Sequence, residues 1–135
     1  MLWTNQADGV KEGSIYDNFP IYTHSFLYRP TAECRYPKET DPNCHIFHAV
    51  VVEIMKYNNI DINMIYRMCA NCVHPTQTRL ASPPHEDHPW PHTNLLIYLT
   101  DPFKGETVVE EKKFFGKEDD VIMFEGMLSE GMIEN

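Results

Sequence analysis

His85 and Asp87 stand one residue apart in the run His85-Glu86-Asp87-His88-Pro89-Trp90-Pro91-His92. On extended backbone, residues at i and i+2 turn to the same face, so this imidazole and this carboxylate can aim at one point. Such a pair makes two corners of a divalent-metal site. A second imidazole from a later strand would complete the two-histidine, one-carboxylate facial set that leaves positions open for substrate and dioxygen on iron(II). His88 and His92 with Asp87 form an alternative set that spacing alone leaves open. Pro89 and Pro91 hold Trp90 extended between them, which favours His88 and His92 as loop residues near the mouth of the site.

Other residues of ligand type are weaker candidates. Cys69 and Cys72 show a Cys-x-x-Cys spacing, but they lie in an extended run where residues three apart face opposite ways, and no second such pair follows. The four cysteines, Cys34, Cys44, Cys69 and Cys72, are expected to be free thiols, because no export signal precedes them. His45 and His48 lie three apart on a helical pattern and share a face, with no acidic partner at a chelating offset. His24 has no ligand-type residue two to five positions away and reads as a satisfied or exposed histidine.

These residues need a scaffold, and the periodicity supplies one. Residues 95–100 are large, apolar and aromatic, and read as a buried strand. Alternation within it puts Leu95, Ile97 and Leu99 on one face and Leu96, Tyr98 and Thr100 on the other, so Tyr98 is the polar handle of its face. Residues 19–28, 60–72 and 121–124 read as further strands, and residues 110–113, Glu-Glu-Lys-Lys, as a solvated hairpin. Residues 44–58 change period. Ile46, Phe47, Val50, Val51, Ile54 and Met55 recur at helical spacing, with Asp41 or Asn43 to cap the start and Asn58-Asn59 to stop the end. Residues 29–43 read as a loop long enough to act as a lid, residues 73–84 as a proline-rich loop delivering the chain to His85, and residues 1–17 as a short strand or a loose end.

The string His-x-Asp, a short loop, Thr93-Asn94-Leu95-Leu96-Ile97-Tyr98-Leu99-Thr100-Asp101, a turn and Gly105-Glu106-Thr107 resembles the core of the iron(II)/2-oxoglutarate-dependent oxygenases, closest to their prolyl-hydroxylase-like, phage-encoded branch. Residues 119–126, Asp-Asp-Val-Ile-Met-Phe-Glu-Gly, look like the later strand of that family. Ile15-Tyr16-Asp17-Asn18-Phe19 and residues 63–71 look familial as well. The resemblance implies a mainly β fold, a double-stranded β-helix or jelly-roll-like barrel with one supporting helix, lacking its last strand or two. It implies iron(II) on His85 and Asp87, 2-oxoglutarate with its distal carboxylate on the Tyr98 hydroxyl, Asn71 as a second co-substrate contact, and ascorbate as reductant. The implied activity is an oxygenase that couples decarboxylation of 2-oxoglutarate to hydroxylation of an unknown substrate.

The family pattern also asks for a histidine soon after residues 121–124 and a basic residue beyond it. No histidine follows His92, and residues 125–135 contain no histidine, lysine or arginine. Glu125 or Glu130 could substitute as an oxygen ligand. The expectation is therefore slow or no turnover, with a non-catalytic remnant or metal-binding module of the same fold as the alternative. A barrel missing closing strands would carry an unpaired edge, through which copies of the chain could associate.

The 135 residues suit one domain with a modest core, at 42% apolar and 12% aromatic content. A net charge of −9 argues against nucleic acid and anionic lipid and leaves a small molecule or peptide as the substrate class. No run of eighteen apolar residues and no basic-then-apolar leader is present, so the expected compartment is the cytoplasm.

Overall fold

The computed structural model describes residues 4–5, 21–74, 85, 87–102 and 105–126. In chain order the elements are β1 (Thr4–Asn5), β2 (Ile21–Tyr28), β3 (Lys38–Glu39), α1 (Cys44–Tyr57), β4 (Met68–Val73), β5 (Thr93–Ile97), β6 (Thr107–Val109), β7 (Lys112–Phe114) and β8 (Val121–Glu125). The described residues are thus mainly sheet, with a single helix. Two compact units divide the chain, Met1–Ala81 and Ser82–Asn135.

In the first unit β2 is the central strand. It pairs antiparallel with β4 along one edge, and with β1 and β3 at opposite ends of the other. Ser25 lies opposite Cys69 and Leu27 opposite Met68, which leaves Phe26 as an extra residue on β2, a β-bulge. The bulge has a packing consequence. Phe26 stacks against Phe47 of α1 with ring centroids 4.4 Å apart, while the next residue, Leu27, lines a depression with Cys44, His45 and His48 of the same helix. Strict alternation would send neighbours to opposite faces; the extra residue lets both reach α1. Thr40 completes the arrangement by donating its N–H to Phe26 O at 2.9 Å and its hydroxyl to Ser25 O at 2.8 Å.

The expected helix is present as Cys44–Tyr57. Asn43 is the N-cap residue but makes no side-chain capping bond. Asp41 shapes the turn into the helix, its Oδ1 accepting from the Asn43 backbone N–H at 2.7 Å and from Asn43 Nδ2 at 2.8 Å. At the other end, Asn59 takes φ 55°, Asn59 N–H bonds Lys56 O, and Ile60 N–H bonds Met55 O, the two crossed bonds of a Schellman stop. Residues 60–67 are not strand, contrary to the sequence reading; β4 begins only at Met68. Its partner explains why. Met68 pairs with Leu27 near the end of β2, and beyond Tyr28 come Arg29 and Pro30, where the ladder stops. The expected loop of residues 29–43 contains the two-residue β3.

In the second unit β5 and β8 pair antiparallel from Thr93↔Glu125 to Ile97↔Val121. Strand β5 starts two residues earlier than the sequence pattern suggests and ends at Ile97, although Tyr98 still donates to Asp120 O and accepts from Asp119 N–H. Asp119, at φ 69°, turns the chain there. Between these strands β6 and β7 form a hairpin across Glu110-Glu111, the solvated turn that the charge run indicates. The expected end at residues 1–17, apart from β1, the loop beyond His74 and the segment containing Glu130 lie outside the described residues.

Because Asn59 pays for its left-handed φ, Asn59→Gly should hold or raise stability, by at most about 1 kcal/mol, whereas Asn59→Val should lower it by about 1 to 2 kcal/mol. Urea unfolding midpoints of the two variants measure this directly.

Candidate metal centre and the histidine cluster beside it

His85 and Asp87 occupy irregular backbone ahead of β5; His85 is exposed and Asp87 half-buried, and Glu86 between them lies outside the described residues. Among the described residues no group of three or more His, Cys, Asp or Glu side chains is placed to hold a metal ion. Glu125 accepts from the Thr93 hydroxyl at 3.3 Å at the open end of the β5–β8 pair.

His88 and His92 are packed inside the second unit, not displayed at the mouth of a site. Both are buried, at 6% and 9% exposure. The His88 ring stacks on Trp90 at 4.9 Å and 12°, and meets the edge of His92 at 4.8 Å. Pro89 and Pro91 do hold Trp90 between them, and the stiffened segment folds the indole onto the imidazole. His92 Nδ1 lies 2.7 Å from Trp90 O and its Nε2 3.4 Å from Asn94 Nδ2. A carbonyl can only accept and an amide nitrogen only donate, so His92 is the tautomer with hydrogen on Nδ1 and a lone pair on Nε2. A Cβ at Gly126 would fall 2.0 Å from His92 Nε2, and Gly126 N–H bonds His92 O at 2.8 Å. This close approach requires a residue without a side chain at position 126.

Tyr98 is half-buried, and its hydroxyl donates to Thr107 Oγ1 at 2.7 Å, tying the end of β5 to the start of β6. Its ring lies over Gly116, where a Cβ would come within 2.3 to 2.5 Å of the ring carbons. The hydroxyl has one proton to give, so a carboxylate at this position would have to displace Thr107. Asn71 sits on β4 in the first unit, opposite Thr23, whose hydroxyl donates to Asn71 Oδ1 at 2.9 Å.

Three further pairings involve histidines outside the second unit, two of them beyond the reach of local spacing. His24, buried, lies 2.9 Å through Nε2 from Asp41 Oδ2, a partner 17 residues along the chain. The Asn43 backbone N–H, more than His24, lowers the Asp41 carboxyl below its ordinary 3.8, while partial burial opposes the shift. His45 has an acidic neighbour that is not at a chelating offset on its own helix: Glu39 Oε2 of β3 is 3.5 Å from its Nε2, though both are exposed. They border an open depression of about 450 Å³ that Cys44 also lines. Burial, then Glu39 and Asp41, push the Cys44 thiol up. The third pairing is Cys72 Sγ with His74 Nε2 at 3.8 Å. All four cysteines are free thiols.

Nothing matches. Comparison with family models, with curated proteins and with solved structures returned no similar protein. Among the described residues, no helix is long and apolar enough to cross a membrane.

Two outcomes follow from this geometry. Gly126→Ala should destabilise the second unit by about 1 to 3 kcal/mol, the range for forcing atoms into a filled site, and should shift the His92 ring resonances in an NMR spectrum. Asp41, with its pKa lowered by folding, contributes stability that is whole above about pH 3.8 and lost as pH falls through the folded value. Asp41→Asn should therefore lower the melting temperature at pH 7, and the gap from wild type should close only in scans taken below the lowered pKa of the folded Asp41.

Proposed function

We propose that the second unit is a metal-dependent, oxygenase-type domain in which His85 and Asp87 hold iron(II) and Tyr98 faces the 2-oxoglutarate carboxylate. The observation that carries this reading is the strand arrangement directly after the His-x-Asp pair. Strand β5 pairs with β8 around the inner hairpin β6–β7, so a ribbon doubles back with outer strand on outer strand and inner on inner. A jelly-roll or double-stranded β-helix barrel is wound from such ribbons. The donor types support the choice of metal, since one imidazole and one carboxylate suit iron(II) and related ions.

His85 and Asp87 would hold this centre at two corners, and no third corner stands among the described residues. With 2-oxoglutarate, bound iron would supply the oxidising chemistry for hydroxylating a substrate carbon. The chain's own contribution is to position: His85 and Asp87 as ligands, Tyr98 as the hydroxyl donor once Thr107 gives way. The net charge of −9 weighs against a nucleic-acid substrate and leaves a small molecule or a peptide.

A second reading is a metal-binding module of the same ancestry without turnover. The engaged Tyr98 hydroxyl and the missing third corner among the described residues favour it. The two readings share metal binding and part at succinate. Anaerobic titration with manganese(II), as a redox-quiet stand-in for iron(II), should show binding that falls by about tenfold or more, 1.4 kcal/mol, in His85→Ala and in Asp87→Ala, and stays unchanged in His48→Ala. Unchanged binding in both of the first two would remove the metal centre. With iron(II), ascorbate and 2-oxoglutarate, succinate should form slowly or not at all, and Tyr98→Phe should weaken 2-oxoglutarate binding by about 1 to 3 kcal/mol.

A further inference from the structure

Cys72 lies on β4 and His74 one residue past its end, two positions apart on extended chain and so on one face. The thiol sulfur is 3.8 Å from His74 Nε2. Tyr22 belongs to the same cluster. It is the cross-strand partner of Cys72 on β2, and its ring meets the His74 imidazole edge-on at 5.3 Å and 86°. Strand pairing therefore places the tyrosine, the tyrosine ring steadies the imidazole, and the imidazole faces the sulfur. Cys72 is half-buried and His74 exposed, so small molecules can reach both.

Cys34 and Cys44 are placed differently. Cys34 is exposed and directs its sulfur to the Tyr36 carbonyl at 3.4 Å, an acceptor that cannot take its proton. Cys44 is buried, with its thiol pushed up. Cys69, three residues before Cys72, faces the other side of the strand.

We propose that Cys72 and His74 form a thiol–imidazole dyad that performs thiol–disulfide exchange with small disulfides. His74 Nε2 takes the thiol proton. The Cys72 sulfur pair then forms a bond to one sulfur of the small disulfide, the old sulfur–sulfur bond breaks toward the other sulfur, and that leaving sulfur recovers the proton from His74. The products are a mixed disulfide on Cys72, which is oxidised, and one small thiol, which is the reduced half of the reagent.

Site-resolved mass spectrometry of the full, reduced chain exposed to oxidised glutathione at pH 7 tests this. Cys72 should be modified about tenfold or more faster than Cys34. His74→Gln should remove that advantage while the Cys34 rate holds and Cys44 stays unmodified, which reports an intact fold. In His74→Ala, free imidazole should restore the Cys72 rate in part, an effect that a merely structural histidine would not give. Equal rates at Cys72 and Cys34 in the wild-type chain would overturn the proposal, as would an unaltered Cys72 rate in His74→Gln.

Discussion

A buried imidazole must be neutral or paired, and that constraint shapes both compact units of this chain. Among the described residues, the buried apolar side chains are Phe26 and Cys44, while Thr23, His24, His88 and His92 are buried and polar. The interior is therefore built to a large extent from groups that need hydrogen bonds as well as contacts. His24 obtains Asp41, and in doing so fixes the residue that also holds Asn43, the N-cap of α1. His92 obtains the Trp90 carbonyl and the Asn94 amide, and through them sets the path of the chain into β5. Imidazoles pack with aromatic rings here, as His88 does with Trp90 and His24 with Phe26.

Much of the fold was legible because it rests on local pattern. The helix at Cys44–Tyr57 shows the 3.6-residue period and its asparagine stop, and the hairpin around Glu110-Glu111 is announced by charge between apolar residues. Residues 60–67 misled because apolar content alone resembles a strand, whereas a strand also needs a neighbour, and β2 ends too soon to provide one. The bulge at Phe26 was illegible for a similar reason, since it is a property of two strands in register and not of either alone.

The candidate site divides along the same line. The His85 and Asp87 pair was visible as a spacing of two, and the polar role of Tyr98 as an alternation. What spacing could not say is that Thr107 receives the Tyr98 hydroxyl, or that Gly126, far along the chain, closes over His92. Both depend on β5 meeting its partners. The His24–Asp41 and Cys72–His74 pairs differ in the same respect: the first spans a loop and a helix cap, while the second was within reach of a closer reading of residues 72–74.

The bulge in β2 acts as a phase shift in a two-beat rhythm. Before Phe26, the strand keeps time with Thr23 and His24; after it, the beat is reversed, and Leu27 turns toward the helix when it would otherwise turn away. Each half of β2 can thus follow its own partner, β1 on one side of the shift and β3 on the other, without either dictating the other's facing. The extra residue is consequently what the helix gains: removing it would restore strict alternation with Leu27 still opposite Met68, and would cost the contact of the Phe26 ring with Phe47.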